Sequence, residues 1–301
     1  MAEPSSSHLD IPPVLAYIGL GVMGAPMASH LVRRGWRVRA YNRTPAKAQA
    51  WLDELRSPLA SIHESPADAA QGAQLVFCCV GRDSDLEEVL CGPAGVLATL
   101  AAGGVIVDHT TTSAHAARAM HEAAARRGSQ FLDAPVSGGN VGAVNGTLSV
   151  MCGGEPAAFE RVRPFMDCYS KTQVLLGPSG AGQLAKMVNQ ICVAGVIQGL
   201  AEALAFGQRA GLDMDKVLQV ISQGAAQSWQ MIHRGPTMLK DEFDFGFAVD
   251  WMRKDLGLCL AQADAVGASL PVTRLIDEFY ARVQALGGGR WDTSSLIRLL
   301  R

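Results

Sequence analysis

The feature that most constrains the fold is a glycine-rich hexamer between a short apolar run and a helix-forming segment. The apolar run is VLAYIGL (14–20), and helical spacing of apolar residues follows from Pro26 to Arg34. A G-x-G-x-x-G pattern alone arises often by chance. Between a strand and a helix it predicts a βα unit in which the backbone approaches a pyrophosphate at the helix N-terminus. The residues of the hexamer are Gly19, Leu20, Gly21, Val22, Met23 and Gly24.

The first half of the chain alternates apolar runs with helix-like segments. Further strands are predicted at 37–42, 75–80, 103–110 and 129–136, and helices at 45–56, 65–71, 85–90 and 114–127. Strands that alternate with helices of about ten residues predict βαβ units and a mostly parallel sheet. The fully apolar run LVFCCV (75–80) fits a sheet that is covered on both faces.

The second half changes to helical patterns. The longest runs from Ala181 to Gly211, and others follow at 214–224, 231–239, 249–267 and 272–286. We therefore predict an α/β Rossmann-type N-terminal domain and an all-α C-terminal domain built on a long interdomain helix. The predicted limits are a flexible tail at 1–13, the dinucleotide-binding domain at 14–178 and the helical domain at 179–301.

Composition and charge exclude several classes of function. The net charge is −2, which gives no electrostatic footprint for nucleic acid or an anionic membrane. The seven cysteines include no C-x-x-C pair and no zinc-like spacing with histidine, so we expect free thiols and no metal. The N-terminus lacks the pattern of a signal peptide, and the apolar stretch 191–207 is judged too short for a membrane span. We expect a cytoplasmic protein.

The residues after the second predicted strand bear on the choice of dinucleotide. NAD-binding sites usually carry an acidic residue there, which holds the ribose 2′-hydroxyl. This chain has Asn42-Arg43-Thr44 instead. Arg43 can pair with a 2′-phosphate, and the flanking side chains can donate hydrogen bonds to it. The pattern favours NADP(H), with NAD(H) or a merely solvated arginine as the alternatives.

Two later segments carry polar groups that could hold a substrate. In DAPVSGG (133–139) the glycines leave backbone N–H groups open to an anion, so the segment is either a carboxylate nest or a flexible turn. In the long helix, Lys186, Asn189 and Gln190 share one face among apolar neighbours. A lysine in a cleft can act as general acid or base. The alternative is a lysine that extends its charge to solvent.

Four segments in order resemble the β-hydroxyacid dehydrogenase family over nearly the whole chain, about Val14 to Leu286. These are GLGVMGAPMA (19–28), DAPVSGGNVGAVNGTLSVMCGG (133–154), GAGQLAKMVNQ (180–190) and KDL (254–256). The resemblance implies a Rossmann-type domain followed by a helical domain, with the active site between them. It also implies a homodimer or homotetramer.

The same resemblance implies roles for individual residues. Lys186 would be the acid/base and Asn189 would orient the substrate. Gln190, which shares the helix face with Asn189, could hold substrate oxygens together with it. Thr111 would contact both nicotinamide and substrate, and Val80 and Lys254 would contact the cofactor. The backbone that would bind the substrate carboxylate is that of Ser137, Gly138 and Gly139.

Two departures from common family patterns narrow the expected activity. Asn189-Gln190 resembles the tartronate semialdehyde reductase subgroup, and residues 42–44 resemble NADPH-using semialdehyde reductases. We expect NADPH-dependent interconversion of a short carboxylated semialdehyde and its β-hydroxyacid. The alternatives are an imine reductase on the same scaffold and a non-catalytic NADP-binding protein. Lys186 argues against both, because such relatives usually lack this lysine.

The C-terminal segment allows two interpretations. Three glycines at 287–289 precede residues 290–301. Glycine is the most permissive residue for the backbone, so the run can act as a flexible joint. The residues after it would then form either an arm that reaches a partner subunit or a terminal helix that packs on this chain.

Overall fold

The structure, a computed structural model, describes residues 13–301. Residues 1–12, which contain nearly all of the predicted tail, lie outside the described residues. Contacts divide the chain into two compact units, one through Ala185 and the other from Lys186 onward.

The first unit is built on a six-stranded parallel sheet with the order β3-β2-β1-β4-β5-β6. Its fully buried strands β4 and β5 explain the apolar runs of the sequence. The fold class predicted from the sequence is confirmed. The strands are β1 (Val14–Ile18), β2 (Arg37–Tyr41), β3 (Ala60–Ile62), β4 (Leu75–Cys78), β5 (Val105–Asp108) and β6 (Gln130–Asp133). The helices between them are α1 (Gly24–Arg33), α2 (Pro45–Leu55), α3 (Pro66–Ala70), α4 (Asp83–Cys91) and α5 (Ala114–Arg126).

The order of the strands reverses beside β1, which is flanked by β2 on one side and β4 on the other. In open α/β sheets, ligands bind outside the carboxyl ends of the strands at such a reversal. The glycine hexamer follows β1 directly and therefore lies at this point.

A second, three-stranded sheet follows that the sequence did not predict. Its order is β7-β8-β9, with β7 and β8 antiparallel and β8 and β9 parallel. The predicted strand 129–136 is wrong in part, because β6 ends at Asp133 and the chain then enters the second sheet. The elements are β7 (Val136–Ser137), α6 (Gly139–Asn145), β8 (Leu148–Cys152), α7 (Pro156–Met166) and β9 (Ser170–Leu175).

After Gly138 the chain forms the short helix α6, which was not predicted from the sequence. Glycine has a low helix propensity, so a glycine-rich segment of this kind does not predict a helix. Tertiary contacts hold the helix instead: His30 of α1 donates from Nε2 to the carbonyls of Ala143 and Val144, each at 3.0 Å. The left-handed Gly146 ends it.

The second unit is helical, as predicted. Its helices pack around a core that includes the buried side chains of Ile197, Leu204, Met252 and Tyr280. They are α8 (Ala181–Arg209, which begins in the first unit), α9 (Met214–Ile221), α10 (Trp229–Leu239), α11 (Val249–Val266) and α12 (Pro271–Ala285), followed by 3-10 turns at Gly288–Arg290 and Thr293–Leu300.

The C-terminal residues pack on this chain rather than extending as an arm. Leu296 and Ile297 are buried in the helical core. Arg298 and Arg301 both pair with Asp241, at 2.7 and 2.8 Å. Burial of these apolar side chains and the two ion pairs hold the C-terminal segment against this chain. The interpretation as a flexible arm is therefore wrong for this structure.

Helix α8 has 29 residues, so the judgement that its apolar stretch is too short for a membrane is wrong on length. By length and composition alone it could cross a bilayer. Half of its most apolar window is nevertheless buried inside the protein. A helix that is apolar around much of its circumference is also typical of a buried core helix.

The close packing of the glycine hexamer between β1 and α1 can be tested by substituting its glycines. A Cβ at Gly24 would overlap the carbonyl oxygen of Gly19, whereas a Cβ at Gly21 would meet nothing within 4 Å. We expect Gly24→Ala to lower the free energy of unfolding by about 1–3 kcal/mol, as overpacking does. Gly21→Ala should change it by less than about 0.5 kcal/mol. Urea denaturation of both variants checks this, and equal stabilities would contradict it.

Candidate active site

The hexamer forms a cradle at the start of α1. Gly19 has a φ of +98° and donates from its N–H to the carbonyl of Tyr41 at 2.8 Å, which turns the chain sharply after β1. Helix α1 begins at Gly24 with no side-chain cap. The N–H of Ala25 donates to the carbonyl of Gly21 at 3.0 Å and Pro26 has no N–H, so an anion would meet the positive end of the helix dipole and the N–H groups of the hexamer itself. The backbone at Gly21 is open to close approach. These residues fit the pyrophosphate of a nicotinamide dinucleotide.

Asn42 holds this loop to the end of β2. Its side-chain oxygen accepts a hydrogen bond from the N–H of Leu20 at 2.9 Å, and its Nδ2 donates to the carbonyl of Thr44 at 2.9 Å. The structure thus gives Asn42 a local role in fixing the loop, besides any contact with a ligand. The N–H of Leu20 is used within the protein.

Arg43 is exposed and pairs with a carboxylate that the sequence did not suggest. Its Nη1 lies 2.9 Å from Oδ1 of Asp85, in the first turn of α4. Thr44 precedes α2, and its hydroxyl makes no cap hydrogen bond there. The end of β2 itself lacks a carboxylate, as the sequence showed, but the fold supplies one from the first turn of α4.

The loop after β5 carries Thr111 and is clamped from α8. Gln183 is fully buried, and its Oε1 accepts from the N–H of Thr112 at 3.1 Å. Its Nε2 donates to the carbonyl of Thr110 at 2.7 Å, so one amide holds the main chain on both sides of Thr111. The hydroxyl of Thr110 accepts from the N–H of Val80 at 3.0 Å, which ties the residue after β4 to the same loop.

Asp133, at the end of β6, caps the start of α8. Its carboxylate accepts from the N–H of Gly180 at 2.7 Å and from that of Gln183 at 2.9 Å. Burial raises the pKa of Asp133, while these N–H bonds oppose that rise. The same cap therefore fixes the helix turn that supplies Gln183.

His109 ties the end of β5 to the segment that leads to Ser137. Its Nδ1 lies 2.7 Å from the carbonyl of Ala134, and its Nε2 lies 2.8 Å from the hydroxyl of Tyr169. A carbonyl only accepts, so Nδ1 carries the proton and Nε2 accepts from Tyr169. Burial lowers the pKa of His109 to about 4, so the ring is neutral and serves as a structural link.

The predicted carboxylate-binding backbone begins helix α6. Gly138 and Gly139 have φ values of +131° and +61°, which favour glycine. Ser137 ends β7, and Gly138 precedes the helix without a side-chain cap. The first N–H groups of a helix have no partner within it, so those of Gly138 and Gly139 can donate to an anion. Ser137 itself lies in β7, where it pairs with Ser149 of β8.

Lys186 is only 8% exposed. It lies in the second unit, together with the predicted site residues Asn189, Gln190 and Lys254. Burial lowers the pKa of Lys186 to about 8; the charge of Asp255 opposes this, and Lys254 adds to it. Gln190 donates from Nε2 to Asp255 at 2.7 Å, and Asn189 donates to Oε1 of Gln190 at 2.8 Å.

Asp255, which was not singled out from the sequence, organises this group. It is buried, and its Oδ1 lies 3.1 Å from Nζ of Lys254. A signal was present: Asp255 falls in helical register with the buried Met252, Leu256 and Cys259, so its carboxylate lies on the apolar face of α11. The predicted lysine and amides are therefore gathered around one carboxylate.

The structure also bears on metal and thiol chemistry. Within residues 13–301, no three histidine, cysteine, aspartate or glutamate side chains are grouped to hold a metal ion. The seven cysteines are free thiols. Burial raises the pKa of Cys259, near Lys186, to about 12, so this thiol stays protonated and is a poor nucleophile.

The clamp at Thr111 can be tested by its effect on stability. Gln183→Met keeps the length of the side chain but leaves the N–H of Thr112 and the carbonyl of Thr110 without this partner. We expect the free energy of unfolding to fall by about 2–4 kcal/mol, because buried polar groups lose their hydrogen bonds. Gln198→Met is the control, since within residues 13–301 Gln198 of the same helix donates only to the side chain of Glu202. Similar urea denaturation curves for both variants would contradict the clamp.

Comparison with known proteins identifies the family. The profile for the NAD binding domain of 6-phosphogluconate dehydrogenase matches residues 14–177. The profile for NAD-binding of NADP-dependent 3-hydroxyisobutyrate dehydrogenase matches residues 180–300.

Individual relatives agree with these profiles along the chain. The chain is 55% identical to an uncharacterized oxidoreductase of Shewanella frigidimarina, over 95% of this chain and 97% of that protein. It is 37% identical to 2-hydroxy-3-oxopropionate reductase of Escherichia coli, over 95% and 96%. The solved structure of Mycobacterium tuberculosis 3-hydroxyisobutyrate dehydrogenase with L-serine has a TM-score of 0.84 and 30% identity, covering 97% of this chain and 100% of that one. The chain therefore belongs to the β-hydroxyacid dehydrogenase family of NAD(P)-dependent oxidoreductases that act on CH–OH groups.

Proposed function

We propose that this protein is an NADPH-dependent reductase of short carboxylated semialdehydes that also oxidises the corresponding β-hydroxyacids. The observation that carries the proposal is the buried Lys186, whose pKa is lowered to about 8. A group that titrates near neutral pH can both donate and accept a proton under working conditions. An aldehyde carbonyl that becomes an alcohol needs such a donor.

In the proposed reaction, Nζ of Lys186 exchanges one proton with the reacting oxygen of the substrate. When bound, the nicotinamide supplies the hydride to the aldehyde carbon. Nζ of Lys186, as ammonium, donates a proton to the carbonyl oxygen and stabilises the negative charge that develops there. In the reverse direction, neutral Lys186 accepts the proton of the hydroxyl group.

Other residues bind and orient the substrate in this proposal. The backbone of Ser137, Gly138 and Gly139 binds its carboxylate, supported by the two left-handed glycines at the start of α6. Asn189 and Gln190 hold its oxygens, and their chain of hydrogen bonds to Asp255 supports a fixed orientation. Thr111 contacts substrate and nicotinamide from the clamped loop.

The preference for NADP(H) rests on the loop after β2. Arg43 offers an exposed guanidinium to a 2′-phosphate. Thr44 offers a hydroxyl group that makes no cap hydrogen bond to α2. Val80 and Lys254 are proposed further contacts with the cofactor. The matching profile of NADP-dependent 3-hydroxyisobutyrate dehydrogenase supports this choice, and NAD(H) is the alternative.

The substrate class is proposed from the similarity to 2-hydroxy-3-oxopropionate reductase and from the pair Asn189-Gln190. 2-Hydroxy-3-oxopropionate is tartronate semialdehyde, a small aldehyde that carries a carboxylate. Lys186 disfavours an imine reductase, and together with the complete substrate segment it disfavours a non-catalytic role. We further propose a cytoplasmic homodimer or homotetramer. Exposed apolar side chains on α8, such as Val188 and Phe206, support self-association.

The reaction is tested with a panel of aldehydes and two cofactors. We expect turnover of tartronate, succinic or methylmalonate semialdehyde, or of glyoxylate, with a higher kcat/KM for NADPH than for NADH. Propanal, which lacks the carboxylate, is the control and should react poorly. The decrease in absorbance of the reduced nicotinamide measures the rate. Binding of NADPH without turnover of any panel member, or turnover of a cyclic imine alone, would overturn the proposal.

The role of Lys186 is tested by the pH dependence of both directions. Reduction needs the ammonium, so its kcat/KM should fall as pH rises through about 8, whereas kcat/KM for oxidation should rise there. Lys186→Met should lower kcat by about 10²–10⁴-fold and leave the Kd of NADPH nearly unchanged. Lys186→Arg keeps the charge at all accessible pH values, so the step near pH 8 should vanish. Unchanged turnover in Lys186→Met would refute the assignment.

A further inference from the structure

The ion pair between Arg43 and Asp85 spans the cofactor end of the sheet. Arg43 follows β2, and Asp85 lies in the first turn of the helix that follows β4. Both strands neighbour β1, whose carboxyl end carries the glycine hexamer. The carboxyl ends of parallel strands lie at one edge of a sheet, so the pair belongs to the same edge as the phosphate cradle.

The two partners differ in how firmly they are held. The side chain of Arg43 is 76% exposed, whereas that of Asp85 is 20% exposed. Asp85 is anchored by its place in α4, beside the fully buried Leu86, and a negative charge is favourable in the first turn of a helix. An exposed ion pair contributes little free energy, so the guanidinium can leave the carboxylate at small cost. The arginine is thus the mobile partner, and the carboxylate is the fixed one.

This geometry has opposite consequences for the two cofactors. A 2′-phosphate that binds Arg43 must take the guanidinium from Asp85 and then lies near a fixed negative charge. A ribose 2′-hydroxyl carries no charge and needs no such exchange. The carboxylate therefore penalises the phosphorylated cofactor selectively.

We propose that Asp85 is a specificity-determining residue that weakens NADP(H) binding by competing with the 2′-phosphate for Arg43. The proposal rests on the proposed function, in which Arg43 binds that phosphate. The sequence did not indicate this role, because the acidic residue sought at the end of β2 comes instead from α4. The ratio of the affinities for NADPH and NADH is then set by a pair, and not by Arg43 alone.

The test compares cofactor affinities in variants of the full chain. Asp85→Asn keeps the shape of the side chain and removes its charge. We expect the Kd of NADPH to fall roughly three- to fivefold, which corresponds to the loss of a competing exposed ion pair. The Kd of NADH should stay nearly constant. Raising the ionic strength should shrink the effect on NADPH, because exposed charges are screened.

Two controls separate this role from a general effect of charge. Glu88→Gln removes the same charge from an exposed position of α4 and should leave both affinities unchanged. In the background of Arg43→Ala, Asp85→Asn should no longer strengthen NADPH binding, because the guanidinium for which Asp85 competes is gone. Thermal unfolding of each variant establishes that it is folded.

The outcomes distinguish the two proposals. Weaker or unchanged NADPH binding in Asp85→Asn, with normal NADH binding, would overturn the competition and leave the NADP preference standing. An equal gain in Glu88→Gln, or a full gain without Arg43, would also overturn it. If Arg43→Ala alone leaves the Kd of NADPH unchanged, the assignment of the 2′-phosphate to Arg43 fails, and the inference about Asp85 fails with it.

Discussion

The buried carboxylate of Asp133 is the interaction on which the geometry of the first unit depends. It accepts main-chain N–H groups from Gly180 and Gln183, and so fixes where α8 begins. A carboxylate at this end of a helix is favoured by the helix dipole and satisfies N–H groups that would otherwise have no partner. A Cβ at Gly182 would come within 2.8 Å of Oδ2 of Asp133, so a glycine is needed for this close approach. The first turn of α8 is therefore held by the end of β6, which explains why contacts assign it to the first unit.

Once that turn is fixed, the loops that end three strands follow from it. Gln183 reaches from the capped turn to the main chain around Thr111, and Thr110 in turn receives the N–H of Val80. His109 links the same loop to the segment after β6. Each link satisfies a buried polar group, which would cost free energy if left without a partner. The loops that carry Val80 and Thr111 are thus tied to the capped turn of α8 by hydrogen bonds between main-chain and side-chain groups.

Burial and charge near Lys186 oppose each other. Burial alone disfavours the ammonium, and the nearby carboxylate of Asp255 restores part of its stability, so the pKa of Lys186 settles at about 8. Sequence patterns predicted the lysine and its amides, since they interrupt an apolar helix. They did not predict Asp255, because nothing in the local sequence marks its carboxylate as buried. The spacing of the apolar residues of α11 places Asp255 on the apolar face of the helix, and the fold shows that this face is buried.

The fold was predictable where the pattern was long or unmixed. The apolar strands β4 and β5, the glycine hexamer and the helices of the second half each carry a signal over many residues. Strand β3 has three half-buried residues, too few for a period to emerge. Helix α6 is rich in glycine and is held by contacts with α1, which local sequence does not encode. Strand β8 alternates buried and half-buried residues with a period of two, but its alternation was masked by the glycines around it.

The pair formed by Arg43 and Asp85 shows a different limit of prediction from the sequence. Its residues are separated by two strands in sequence and meet only because β2 and β4 flank β1. Unlike the buried links around Thr111, this contact is exposed and contributes little to stability. Changing it leaves the core and the buried lysine untouched. The loops around Thr111 are therefore constrained by the fold, while the pair that we propose to distinguish the cofactors can vary by single surface substitutions.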